Sequence, residues 1–150
     1  MRRVVDVVVT IVAGLVGAPL VLAVCLLVLA DLGRPIVFRQ ARSGLHGRVF
    51  TVLKFRTMRG PAFPGEPDEA RLTPIGRFLR AGSLDELPQL WNILRGDMSL
   101  IGPRPTLPEQ VARYSDHERG RLAIRPGLTG WAQVNGRNSI SWPARIELDL

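Results

Sequence analysis

The sequence predicts an α+β protein: a long apolar helix at the N-terminus, then a small, mainly helical domain that carries a short β-hairpin. Three observations predict it. Residues Val7 to Ala30 carry no charge and are dominated by Val, Leu and Ala. Two short β-prone runs, Ile36 to Arg39 and Val49 to Phe55, flank turn residues at Gly44 to Gly47. Beyond Thr73 the chain alternates helix-start signals, helically spaced apolar residues and Gly or Pro stops. Two units follow, residues 1–33 and residues 34–150.

The apolar segment is preceded by Arg2 and Arg3, with Asp6 at its entrance. It is longer than the apolar region of a signal peptide, and no small-residue cleavage site follows it. About 20 helical residues span a bilayer core of about 30 Å, so it is long enough to cross. Pro19 falls in its middle, near Gly14 and Gly17. Proline removes a backbone donor and crowds the preceding turn, so Ala18-Pro19 is the expected break. Arginines flank both ends: Arg2 and Arg3 before, then Arg34, Arg39, Arg42 and Arg48 after. Cytoplasmic flanks carry the excess of basic residues. Two placements fit these residues: a re-entrant hairpin with both ends on the cytoplasmic side, and a kinked single span, which tolerates Pro.

After the hairpin, residues 57–72 hold Gly60, Pro61, Pro64, Gly65 and Pro67 and read as a loop. Thr73-Pro74 is a helix start, with a short helix to about Arg80 and a stop at Gly82. Leu84, Leu87, Leu90, Trp91 and Leu94 share helical spacing and predict one apolar face, closed by Gly96. Met98 to Pro105 reads as a loop stiffened by Pro103 and Pro105. Pro108 opens a helix through Tyr114, and Asp116 caps another to about Ile124. Arg125-Pro126-Gly127 and Asn135-Gly136 are turn signals.

The 150 residues suit one modest domain, and the net charge of +7 favours anionic partners. Lys54 is the only lysine; every other basic residue is Arg, whose planar fork matches phosphate oxygens. Nucleic acid is not expected, because the few aromatics show no stacking pattern around the basic residues. Cys25 is the only cysteine and lies within the apolar segment, which excludes an intrachain disulfide and a cysteine-based zinc site. His46 and His117 are isolated and read as surface or loop residues.

Asp85 and Glu86 carry the strongest chemical signal. Ser83-Leu84-Asp85-Glu86 fits a capping box, in which the acids only complement the helix dipole. Pro88 prefers the first helical position, which would leave both acids in the turn before the helix. The functional reading uses the same place. Asp85 is a candidate carboxylate nucleophile at phosphorus. Glu86 is a candidate ligand for Mg²⁺, which takes one or two carboxylates together with phosphate oxygens. Candidate phosphate-binding residues are Lys54, Arg56, Arg80, Arg104 and Arg125.

Three motifs, KFRTM (Lys54 to Met58), SLDELPQLWNILRGDMSLIGPRP (Ser83 to Pro105) and RPGLTGWAQVNGRNSISW (Arg125 to Trp142), together with the Pro-interrupted apolar helix, resemble the bacterial sugar transferases. These are monotopic phosphoglycosyl transferases, here of the small single-domain type. The resemblance implies transfer of a sugar 1-phosphate from a UDP-sugar to polyprenol (undecaprenyl) phosphate, with release of UMP. It assigns Asp85 as nucleophile of a covalent phosphosugar intermediate and Glu86 as its partner acid associated with Mg²⁺, Asp85 also lying at the metal. Arg80 and Arg125 match the family's basic residues beside the phosphates, with Lys54 and Arg104 placed there too. It further implies a re-entrant helix at the bacterial inner membrane with the catalytic domain on the cytoplasmic face, and it leaves room for a homodimer. Two departures stand out. The family commonly has Ser-Pro where this chain has Ala18-Pro19, and family members typically continue beyond the stretch in which this chain stops, which implies a shortened C-terminus. A protein of another class, a catalytically silent membrane-anchored binder of anions or lipid, is the competing expectation.

Overall fold

The computed structural model describes residues 1–136 and 139–150. Arg137 and Asn138, inside the third motif, lie outside the described residues.

Helix α1 (Arg2–Leu32) is a single helical run that includes Ala18 and Pro19. The expected break at Ala18-Pro19 thus falls within the helical run, with Pro19 inside it. A window of α1 has mean hydropathy 2.8 and is long and apolar enough to cross a membrane. Its central Leu15 and Val16 are 73% and 79% exposed. Its two ends are not free. Near the start, Arg3 donates to the carbonyls of Ile93 and Leu94, and Asp6 accepts from Ser99 Oγ at 2.7 Å and Leu100 N at 3.2 Å. Near the finish, Val24 and Val28 pack with Phe55 and Leu79 in one core cluster, and Thr73 Oγ1 donates to Asp31 at 2.5 Å.

Strands β1 (Val37–Ser43) and β2 (Val49–Phe55) form the expected antiparallel hairpin, in register from Val37↔Phe55 to Ser43↔Val49. β1 runs past the expected end at Arg39, because all seven residues find partners in β2. The Pro- and Gly-rich stretch that follows holds only one short helix, α2 (Asp68–Arg71). Helix α3 (Pro74–Ala81) has the predicted start: Thr73 Oγ1 accepts from Gly76 N at 2.9 Å, with Pro at the first turn and Gly82 as C-cap. Gly76 is required by packing, since a Cβ there would stand 2.0 Å from the Thr57 carbonyl oxygen.

Helix α4 (Gln89–Arg95) begins after Pro88, so Leu84 and Leu87 belong to the preceding turn rather than to its apolar face. The buried positions are Gln89, Asn92 and Ile93, while Trp91 is 57% exposed. Asn92 bonds to the backbone of β2, donating to Thr51 O at 2.7 Å and accepting from Leu53 N at 3.1 Å. Ile93 joins Val52 and Met98 in a second core cluster. Gly96 closes α4 at φ 92°, as predicted.

Met98 to Pro105 is not all loop. β3 (Ser99–Ile101) pairs in parallel with β4 (Gly127–Thr129), which occupies the expected turn. Gly102, Gly127 and Gly130 permit this backbone-on-backbone approach: a Cβ on Gly127 would lie 2.1 Å from Gly102 N. Between the two strands lie α5 (Pro108–Val111) and α6 (Asp116–Arg119). Ser115, not Asp116, caps α6, in a reciprocal capping box with Glu118. The remaining helices are α7 (Trp131–Val134) and α8 (Trp142–Asp149).

Candidate active site

Alternation along β2 sends Phe55 into the core and Lys54 to the other face, where Lys54 meets the acid pair. The acids sit on a 3₁₀ turn, Leu84–Glu86, that joins α3 to α4. Ser83, before that turn, is left-handed (φ 55°, ψ 20°) and makes no side-chain cap bond. The capping box is thus absent at Ser83, and the acids occupy the turn before the helix. The amides of Glu86 and Leu87 donate to Ser83 O and Leu84 O.

Lys54 Nζ lies 2.7 Å from Glu86 Oε1 and 4.0 Å from Asp85 Oδ2. Arg104, from the loop after β3, donates to the same Oε1 at 2.7 Å. Asp85 is buried, and burial pushes its carboxyl above the ordinary range; the Glu86 charge adds to this while Lys54 and Arg80 oppose it. Burial also acts to raise Glu86, but the charges of Arg104 and Lys54 and their hydrogen bonds outweigh it and hold Glu86 below its ordinary value. Two adjacent carboxylates are thereby tuned in opposite directions, the usual arrangement where two acids carry different tasks.

Arg80, in the last turn of α3, donates from Nε to Thr57 Oγ1 at 3.0 Å and bears electrostatically on Asp85. Lys54, Arg80 and Arg104 are therefore brought to the acids. Arg56 and Arg125 are not. Arg56 donates to the carbonyl of Leu32 and, at 3.5 Å, to that of Gly33, capping the end of α1. Arg125 Nε donates at 3.0 Å to Gly96 O, at the far end of α4 from the acids. Both bind backbone carbonyls, acceptors that suit a guanidinium as well as phosphate does. The site's other helpers, Thr57 beneath Arg80 and Asn92 docking α4 onto β2, went unassigned; Thr57 was within reach, since it stands inside KFRTM.

Among the described residues no cluster of three or more His, Cys, Asp or Glu could enclose a metal. The two acids do fit an ion that keeps most of its water. Lys54 and Arg104 both bond Glu86 Oε1, and among the described residues no bond is made to Oε2. That oxygen and the Asp85 carboxylate are the donors Mg²⁺ prefers.

An acid pair on a strained turn, faced by a strand-end lysine and a Pro-bracketed arginine, is the arrangement that the first two motifs supply. The family model described as "Bacterial sugar transferase" matches residues 1–150. The chain belongs to the bacterial sugar transferases. It is 52% identical to the Bacillus subtilis protein "Uncharacterized sugar transferase EpsL", over 79% of this chain and 60% of that one. It is 44% identical to the Caulobacter vibrioides "UDP-glucose:undecaprenyl-phosphate glucose-1-phosphate transferase", over 90% and 54%. It is 36% identical to the Salmonella typhimurium "Undecaprenyl-phosphate galactose phosphotransferase", over 99% and 35%. The chain thus spans about a third to three-fifths of the length of these relatives.

Proposed function

We propose that this sugar transferase moves a sugar 1-phosphate from a UDP-sugar to polyprenol phosphate and releases UMP. The observation that carries this reading is the turn at Asp85 and Glu86, where a buried carboxylate of raised proton affinity stands beside one already matched to two cations. An Asp85 oxygen attacks the phosphorus that bears the sugar. The bond from that phosphorus to the bridging oxygen breaks, and UMP leaves with the electron pair. A phosphate oxygen of the polyprenol then attacks the same phosphorus, frees the Asp85 carboxylate and yields a polyprenol diphosphate sugar. Lys54 and Arg104 each spend one donor on Glu86, and their remaining N–H groups can meet phosphate oxygens. Arg80 adds charge beside Asp85. Mg²⁺, held by Glu86 and Asp85, would neutralise diphosphate charge that otherwise repels the attacking carboxylate. The names of the Caulobacter and Salmonella relatives support both the sugar-phosphate transfer and the lipid acceptor.

We also propose that α1 enters the membrane and returns, with the catalytic domain on the cytoplasmic face of the bacterial inner membrane. Support comes from its ties. About 37 Å of helix separates Asp6 from Asp31 at 1.5 Å per residue, more than a bilayer core of about 30 Å. Both residues are nevertheless bonded to the same domain. A straight crossing would carry one of them to the opposite surface. Cysteines introduced as Arg2→Cys and Arg39→Cys in a Cys25→Ser background should both react from the cytoplasmic side; reaction of only one establishes a span.

The reaction is tested by UMP release from UDP-glucose, UDP-galactose and UDP-N-acetyl sugars with undecaprenyl phosphate and Mg²⁺. The native chain should release UMP, and both EDTA and Asp85→Asn should stop it. A native chain that binds the substrates yet releases nothing would point instead to a silent anion binder.

A further inference from the structure

Behind Arg104 lies a buried polar network that the proposed reaction leaves unused. Arg121 stands just after α6, with its side chain 4% exposed and paired with Asp149, itself 2% exposed. Its guanidinium donates to Tyr114 Oη at 2.8 Å, Asp149 Oδ2 at 2.5 Å and the Arg104 carbonyl oxygen at 3.4 Å. It also lies 5.2 Å from the centre of the Trp142 ring. Tyr114 Oη in turn donates to Thr106 Oγ1 at 3.1 Å, in the same loop as Arg104. One buried cation therefore joins α8, the segment between α5 and α6 and the backbone of the residue whose side chain grips Glu86.

Such a network is a poor means of stabilising a fold. Desolvating an ion pair costs nearly what the attraction returns, and apolar residues of equal volume often do as well. Here Arg121 Nε and Asp149 Oδ1 are buried with no partner among the described residues. What the network supplies is direction. Arg104 is bracketed by Pro103 and Pro105, so its backbone pivots little, and a bond to its carbonyl fixes where its side chain starts.

We propose that Arg121 is a positioning residue: through the Arg104 carbonyl and through Tyr114 on Thr106, it holds the Arg104 guanidinium against Glu86. The proposal rests on the reading of Asp85 and Glu86 as the reacting pair. It predicts that loosening the network weakens the contact of Arg104 with Glu86. The charges facing Glu86 are Lys54 from β2, Arg104 from the loop after β3 and Asp85 in its own turn, with Arg80 of α3 beyond Asp85.

Arg121→Ala would strand a buried Asp149 and is a poor probe. Tyr114→Phe removes a single hydroxyl, and Arg121→Lys keeps the charge but lacks the planar fork whose two nitrogens reach Tyr114 on one side and Asp149 and the Arg104 carbonyl on the other. The placement of the Arg104 guanidinium would be read from its side-chain ¹⁵N resonance in the arginine-labelled, detergent-solubilised chain, assigned by Arg104→Lys, with Glu86→Gln as the reference in which its carboxylate partner is lost. Both variants should move that resonance toward its position in Glu86→Gln, as expected when the bond from Arg104 to Glu86 weakens. An unmoved Arg104 resonance in variants that otherwise keep the native spectrum overturns the proposal, whatever their melting temperatures. In turnover, kcat should fall about tenfold or more, as displaced catalytic groups do, with KM for the UDP-sugar nearly unchanged. A native chain that releases no UMP would defeat the functional reading, while the Arg104 resonance would still decide the role of Arg121.

Discussion

The two ends of helix α4 lie about 10 Å apart at 1.5 Å per residue, and each gathers arginines for a different purpose. At the N-terminal end, cations come to side-chain carboxylates: Lys54 and Arg104 to Glu86, with Arg80 close to Asp85. At the C-terminal end, cations come to backbone carbonyls: Arg3 to Ile93 and Leu94, and Arg125 to Gly96. Helix polarity explains both. The last carbonyls of a helix lack intrahelical partners and carry partial negative charge, so arginine there completes the fold. The first turn repels cations, so a lysine and an arginine collect there only because two carboxylates were placed first. An arginine beside a motif turn is thus no phosphate ligand until its acceptor is known.

The comparison breaks most sharply by substituting each end in turn. Glu86→Gln should lower turnover by about 10²–10⁴-fold, the range for a positioned acid or base. Lys54→Met should follow it, with a loss of about 10²-fold or more for a cation aimed at developing charge. Arg125→Met should instead lower stability by about 1 kcal/mol, the scale of a cationic contact at a helix C-terminus, with turnover per folded molecule changed less than threefold. Initial rates and thermal melts on the three variants check this. A large kcat loss in Arg125→Met at native stability would return Arg125 to the phosphates and erase the distinction between the ends.

How far the sequence could be read follows the same line. Local chemistry was legible. Thr73-Pro74 and Gly82 bound α3, Gly96 ends α4, and Pro88 marks where α4 begins and so leaves the acids in a turn. The acid pair and two of its cations, Lys54 and Arg104, were legible from their motifs. Acceptors were not: Arg56 and Arg125 carry the same fork as Arg104, and only the chain's path shows that carbonyls await them. The β3–β4 pair was hidden because three-residue strands show no alternation, and their parallel partners lie far apart in sequence. It is the glycines at 102, 127 and 130, of which only Gly127 reads as a turn signal, that let those backbones meet. The helical face predicted through Leu84 and Trp91 failed because it counted turn residues as helix.

The next effect separates the two acids themselves. Burial raises the folded-state pKa of Asp85, so its contribution to stability is present below the unfolded pKa and is lost as pH rises through the folded value. Glu86 is depressed, so its contribution is present above its unfolded pKa and is lost as pH falls through the folded value. At neutral pH, Asp85→Asn should therefore melt at or above the native temperature and Glu86→Gln below it, the latter gap closing as pH falls through the carboxylate range. Melting curves from pH 3 to 8 (the span of the carboxylate titrations) measure both. Gaps of the same sign would mean that the two acids are not oppositely tuned.

The smallest expected effect concerns the turn that presents them. Ser83 holds φ 55°, a left-handed conformation that costs an ordinary L-residue about 1–2 kcal/mol and glycine almost nothing. Strain of this kind persists where the surrounding structure requires the geometry. Ser83→Gly should relieve it while widening the unfolded ensemble, so a net gain below about 1 kcal/mol is expected. The freer turn should hold the acids less firmly against Lys54 and Arg104, and kcat should fall a fewfold while KM stays level. A variant that is more stable and equally active would show that the left-handed Ser83 is merely tolerated by the turn and does not serve to aim the acid pair.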